Sequence, residues 1–151
     1  MLHGPSAAMN TSALLAYAIA SSVLCIQLLL LWMASGLVRG RTKTTLNPED
    51  AAAFGSVLVD TDPPAVARML RVHANGQATV YPFLVLGLVF VLLGGGIGWA
   101  APIFAAFVAA RLLHTLAYLR EWQPWRSVFF LVGMLATVTL AVRIAWLVLQ
   151  A

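Results

Sequence analysis

The sequence predicts an all-α fold, an integral membrane bundle of four helices. Three observations carry that class. First, 62% of the 151 residues are hydrophobic and 9% are charged, against roughly 45–50% and about 25% in soluble domains. A soluble chain of this size could not hide so much apolar surface, so lipid must cover part of it. Second, four stretches reach the about 20 apolar residues that a spanning helix needs. Third, all the acids (Glu49, Asp50, Asp60, Asp62 and Glu121) fall in two of the connections between those stretches.

The first span runs from about Ser12 to Val38. No lysine or arginine precedes it and basic residues follow it, which favours a retained span over a signal peptide. The second begins near Ala65 with mixed polarity and is apolar from Tyr81 to Leu93. "GGGIG", Gly94 to Gly98, then breaks the chain. The third span covers about Trp99 to Leu119. "REWQP" follows it, with a proline suited to a helix start, and opens the fourth span, about Pro124 to Leu149. The whole chain, 1–151, reads as one transmembrane domain.

Direction follows from the basic residues. Arg39, Arg41 and Lys43 follow span one, Arg68 and Arg71 open span two, and Arg120 and Arg126 bracket the third connection. The glycine turn and the N-terminus have none. The two charged connections therefore face the cytoplasm and both termini the other side. Trp99 and Trp146 mark one interface, Trp122 and Trp125 the other. Arg143 stands apart; it either snorkels outward or pairs within an oligomer. The connection from Arg39 to Pro64 is too short for a domain of its own. In it, "NPED" reads as a turn or helix cap, and "DTDPP" stops regular structure before span two.

The functional signal lies in polar residues that a membrane helix should not carry. In "RLLHTLAYLR", Arg111, His114 and Tyr118 share one stripe at steps of three and four. Arg111 lies nine residues before Arg120, roughly 13 Å in depth at 1.5 Å per residue. An arginine at the bilayer centre costs about 2.5–3.5 kcal/mol on the lenient scale, so it should face a protein partner or a wet cavity. "RMLRVHAN" adds Arg68, Arg71 and Asn75 on a second stripe, with His73 to another side, and Arg126 and Ser127 open span four. Helix N-termini also favour anions. With Arg39, these groups meet at one membrane level and no acid lies inside the spans. That describes a basic bowl for a small anion, one with carboxylates, which arginine binds in a bidentate way.

Other readings compete. Arg68 and Arg126, taken singly, serve equally as flanking charges, and Arg111 with His114 could bond helix to helix in an oligomer. Metal binding is disfavoured, since His114 has no carboxylate or second histidine at ligand spacing. A serine-hydrolase role for Ser127 lacks an acid partner. The scattered arginines are not a nucleic-acid patch. Cys25 alone permits neither an intrachain disulfide nor a cysteine-based metal site.

"NPED", "DP", "RMLRVHANGQATVYPFLVLG", "RLLHTLAYL" and "PWRSV", in this order and spacing, resemble the MAPEG family, the membrane-associated proteins of eicosanoid and glutathione metabolism. The likeness is strongest to its prostaglandin E synthase and microsomal glutathione transferase branch, and covers about Gly36 to the C-terminus. The resemblance implies a homotrimer of four-helix protomers with glutathione as cosubstrate between neighbours near the cytoplasmic face. It implies that Arg39, Arg71, Asn75, Arg111, His114 and Tyr118 bind glutathione, and that Arg126 and Ser127 sit nearest the sulfur as catalytic residues. The implied partners are lipid and a lipophilic substrate, in a bacterial inner membrane or the endoplasmic reticulum. The chain departs from the family at Ala67 and Ala78, where glutamates are usual, at Ala74 in place of an arginine, and at Phe130 in place of a tyrosine. The second glutamate normally meets the ligand's amino group, so its loss removes a charged hydrogen bond of about 1.5–3 kcal/mol. Two functions follow. One is an enzyme that activates glutathione as thiolate for conjugation, peroxide reduction or isomerisation. The other is a non-enzymatic lipid-binding protein, like the family's lipoxygenase-activating member. A transporter is disfavoured by the absence of intramembrane acids and broken helices.

Overall fold

A computed structural model describes residues 9–150. The expected location of the two termini rests on residues outside that range. Four helices are long and apolar enough to cross a membrane: α1 (Thr11–Thr42), α3 (Pro64–Leu92), α4 (Ile97–Leu119) and α5 (Trp125–Leu149). Helix α1 starts on Asn10, whose Oδ1 accepts from the Ala13 amide at 2.9 Å. It runs past Val38 to Thr42 and ends where Lys43 turns left-handed at φ 51°. No proline or glycine pair interrupts the sequence before that point, so the helix carries Arg39 and Arg41 on its last turn.

The connection after α1, too short for a domain of its own, carries a small structure nonetheless. Pro48 opens a short helix, α2 (Pro48–Phe54). It is flanked by β1 (Thr44–Thr45) and β2 (Val57–Leu58), which pair in parallel. Asn47 stands at the helix N-cap, as "NPED" suggests, yet its side chain bonds Asp50 Oδ2 at 2.9 Å, not the helix backbone. Gly55, at φ 62°, closes the turn that a Cβ would strain.

Among the described residues α1 and α5 do not touch. Helices α3 and α4 pack against each other and against both outer helices. The core lies where all three long neighbours of α4 converge. Phe83 of α3 stacks on Phe107 of α4 with centroids 3.7 Å apart, and Phe104 meets Phe83 edge-on at 5.7 Å. Tyr17 of α1 closes the layer by donating to the Leu84 carbonyl at 3.1 Å. The glycine turn between α3 and α4 is tight: a Cβ on Gly95 would overlap the Phe90 ring. At this end Arg143 lays its guanidinium over the Trp99 ring at 4.3 Å, so it pairs within its own chain by a cation–π contact.

Two ion pairs fasten the opposite end. Arg39 on the last turn of α1 bonds Asp62, just before α3, at 2.8 Å. Arg68 in the first turns of α3 bonds Glu121, between α4 and α5, at 2.8 Å. The end of α1, the start of α3, the end of α4 and the start of α5 therefore gather on one side.

Replacing Phe107 by alanine removes a buried ring from the stacked layer. It is expected to lower stability by about 3–5 kcal/mol, read as a fall in the detergent-solubilised unfolding midpoint. Gly95→Val should act in the same direction through the Phe90 ring, while Val142→Ala, on the exposed face of α5, should leave the midpoint almost unmoved.

Candidate functional site

Arg111 is buried, with 1% of its surface exposed. Helix α4 packs against α1, α3 and α5, and Arg111 points in among them. A charge so placed needs a partner. The guanidinium finds one on α3: Nη2 donates to Asn75 Oδ1 at 2.9 Å. On the α5 side a Cβ at Gly133 would lie 3.6 Å from Arg111 Cδ, so the arginine stem passes in contact with the glycine's helix. Arg111 Nε has no partner among the described residues.

One turn on, His114 is 2% exposed, and its Nδ1 also has no partner. Its ring meets Tyr118 edge-on at 5.8 Å and Phe130 at 6.2 Å. Tyr118 carries the contact to α5, for the Arg126 guanidinium lies over its ring at 4.7 Å. Gln123 finishes the series. With its carboxamide oxygen turned to the guanidinium it accepts from Arg126 Nη2 at 2.6 Å and Nε at 3.0 Å, and its nitrogen donates to Ser127 Oγ at 3.2 Å. Asn75 with Arg111, and His114 with Tyr118 and Arg126, form two sets of contacts that lie one turn apart on α4, and Gln123 joins Arg126 to Ser127.

Arg39 and Arg71 stand outside it. Arg39 is held by Asp62, and Arg71 is exposed on α3. Asp62 is therefore engaged with Arg39, while Asp50 bonds Asn47 within the loop. His73 packs beside Trp32 of α1, with centroids 5.5 Å apart, away from the cluster. Gln123 was not among the predicted residues. It is separated from Ser127 by four positions across a proline, and its lone signal was a polar residue placed before an arginine–serine helix start.

A cavity of about 180 Å³ opens between α3 and α5 beside Arg111, lined in part by Ala78, Thr79, Phe130, Gly133 and Met134. No carboxylate lines it. Arg111 and Arg126 both take neutral partners, an amide each, so neither charge is cancelled locally. Such a site favours an anion, through charge-assisted hydrogen bonds stronger than neutral ones. The two unpartnered nitrogens mark where further hydrogen bonds are missing.

A family model described as "MAPEG family" matches residues 17–146. The chain is 38% identical over 142 residues to prostaglandin E synthase of Macaca fascicularis, covering 93% of each chain. To the Homo sapiens protein of the same name it is 37% identical over 142 residues, again 93% of each. To microsomal glutathione S-transferase 1 of Mus musculus it is 34% identical over 142 residues, 90% of this chain and 91% of the other. With its four apolar helices, the chain is an integral membrane protein that belongs to the MAPEG family.

Proposed function

We propose that the protein is a membrane-bound glutathione-dependent enzyme, a transferase, isomerase or peroxidase acting on a lipophilic electrophile. The observation that carries this reading is the gathering of Asn75 with Arg111, of His114 with Tyr118 and Arg126 one turn on, and of Ser127 through Gln123, with two cations and no acid among these contacts. A relative named as a glutathione S-transferase supports the choice of thiol. The residues fit such a ligand: Arg111 lines the cavity between α3 and α5 with no acid beside it, and Arg126 meets only a neutral amide.

The roles follow from position. Asn75 fixes the Arg111 guanidinium, and Arg111, His114 and Tyr118 bind the carboxylate-bearing parts. Arg126 and Ser127 are assigned to the sulfur. A free cysteine thiol has a pKa near 8.5, and a neighbouring cation lowers it. A charged hydrogen bond of about 1.5–3 kcal/mol corresponds to roughly one to two pKa units, enough to make thiolate abundant at neutral pH. The thiol proton leaves to solvent, and the sulfur lone pair forms the new bond to the electrophile as its leaving group departs. Gln123 and the Tyr118 ring hold the Arg126 guanidinium in place for this, on the cytoplasmic side.

Arg39 and Arg71 make no contact with the cluster in their own chain. We assign them to the site of a neighbouring copy in a homotrimer, where a ligand carboxylate would exchange with Asp62 for Arg39. The second reading, a lipid-binding protein without catalysis, is favoured by one observation: Ala78 leaves the cavity wall beside Arg111 without an acid for a ligand ammonium.

Titrating the purified protein with glutathione at neutral pH should raise ultraviolet thiolate absorbance, with turnover of chlorodinitrobenzene or a lipid hydroperoxide. Absence of binding at millimolar ligand would remove the enzymatic reading. Arg126→Ala should reduce turnover at least tenfold with the oligomer intact by size-exclusion chromatography, and an unchanged rate would refute the role given to it. Asn75→Leu should weaken glutathione binding roughly tenfold, because the Arg111 guanidinium loses its anchor. Calorimetric titration checks it, and an affinity equal to wild type counts against Asn75.

A further inference from the structure

A groove of about 550 Å³ runs between the last turns of α4 and the first turns of α5. Leu113 and Leu116 of α4 and Phe129 of α5 line its membrane part, and Trp122, Gln123 and Trp125 line the end at the connection. The volume falls within the range of small-molecule sites. The two leucines and the two tryptophans are each between 39% and 55% exposed, so the chain does not cover this groove itself. Leu113 lies six residues before Leu119, the last residue of α4. The groove therefore reaches about 9 Å below the helix end, at 1.5 Å per residue. Trp125 stacks on Phe129 with centroids 6.0 Å apart, which joins the tryptophan end to the apolar wall.

The tryptophan end is positively charged. The Arg120 guanidinium lies over the Trp122 ring at 5.1 Å. That contact uses the face of the guanidinium and leaves its N–H edges free, the edges that bind phosphate in a bidentate way. Arg120 is exposed and enters neither ion pair among the described residues, because Glu121 beside it is taken by Arg68. Arg126, at the start of α5, meets the neutral Gln123. Three arginines thus share one acid at this corner. The groove between α1 and α4 differs, since no cation lines it.

We propose that the α4–α5 groove holds an anionic phospholipid. One acyl chain lies on Leu113, Leu116 and Phe129, the glycerol esters sit level with Trp122 and Trp125, and the phosphate meets the Arg120 guanidinium. Tryptophan suits that level, with an apolar body and one polar N–H. A soluble anion would satisfy Arg120 and leave the apolar wall bare; a plain hydrocarbon would cover the wall and leave Arg120 without a counter-ion. An anionic lipid does both. The inference is independent of the glutathione reading.

The test uses the whole protein in detergent, incubated with equimolar dioleoyl phosphatidylglycerol and dioleoyl phosphatidylcholine, which share their chains and differ in net charge. Native mass spectrometry counts what stays bound. Phosphatidylglycerol should be retained about fivefold in preference, which is about 1 kcal/mol. Arg120→Gln should bring the ratio to about one. Leu116→Trp, which keeps Arg120 and fills the groove, should abolish retention of both lipids, and it keeps the test open if Arg120→Gln fails to fold. Millimolar glycerol 3-phosphate, a headgroup without chains, should displace neither. Equal retention in the wild type, binding of neither lipid, a preference that survives Arg120→Gln or Leu116→Trp, or displacement by glycerol 3-phosphate would overturn the proposal and leave the groove to ordinary lipid, a soluble anion or a second copy of the chain.

Discussion

The buried Arg111 guanidinium is the constraint around which the rest of the bundle is arranged. An arginine deep in an apolar helix is costly unless its donors are met. This chain has no acid within its four long helices to meet them. Asn75 supplies one neutral acceptor from α3, and Gly133 on α5 leaves that helix in contact with the arginine stem. Gln27 bonds the carbonyl of the same residue from α1. Three helices thus contribute to one position on the fourth. Because each partner is neutral, the guanidinium keeps its charge uncancelled. A carboxylate in place of Asn75 would bind Arg111 more tightly and erase the attraction for an anion.

The other arginines are handled differently, and the contrast separates structural cations from the cluster. Arg39 and Arg68 meet Asp62 and Glu121 at the charged end of the bundle. The Arg68–Glu121 pair, exposed at the glutamate, contributes little to stability, and the Arg39–Asp62 pair is part-buried; each ties a helix end to a connection and so aligns the helix ends that frame the cluster. Arg143 at the far end is covered by the Trp99 face. Arg126 alone combines an aromatic face with a neutral amide. It is half-buried at a helix start, where free backbone N–H groups add to the attraction for negative charge.

Much of this was legible from residue order. The spans follow from apolar length, and Arg111, His114 and Tyr118 follow from steps of three and four on a helix that cannot afford an idle arginine. Asn75 followed from the same spacing on α3. Partners from elsewhere in the chain were not legible. Spacing along one helix says nothing of which neighbour faces it, so Asp62 for Arg39 and Trp99 for Arg143 emerged only with the fold. Gln27 was missed because a single amide barely alters the apolarity of a 32-residue helix. Its signal was present nonetheless: a carboxamide at mid-depth needs hydrogen bonds for the same reason an arginine does. Gln123 was hidden by its place in a loop, where polar residues are ordinary.

Helix α4 consequently works as a partition with a polar group on each side at the same turn. Toward α3 and α5 it presents the Arg111 side chain, and toward α1 its Arg111 carbonyl and Thr115 hydroxyl, both held by Gln27. A backbone carbonyl and a side chain of one residue cannot shift independently when the helix is packed on three sides. Rotation of α4 that relieved the Gln27 contact would also carry the Arg111 guanidinium away from Asn75. The two faces therefore constrain each other, and the orientation of the one deep cation depends on a residue of α1 whose side chain bonds the Arg111 carbonyl. Phe83 stacked on Phe107 sets the same helix from the next layer, since tightly packed interiors resist small displacements. The site's precision thus comes from the packing of α4 against all of its neighbours, and its charge from the absence of acids among them.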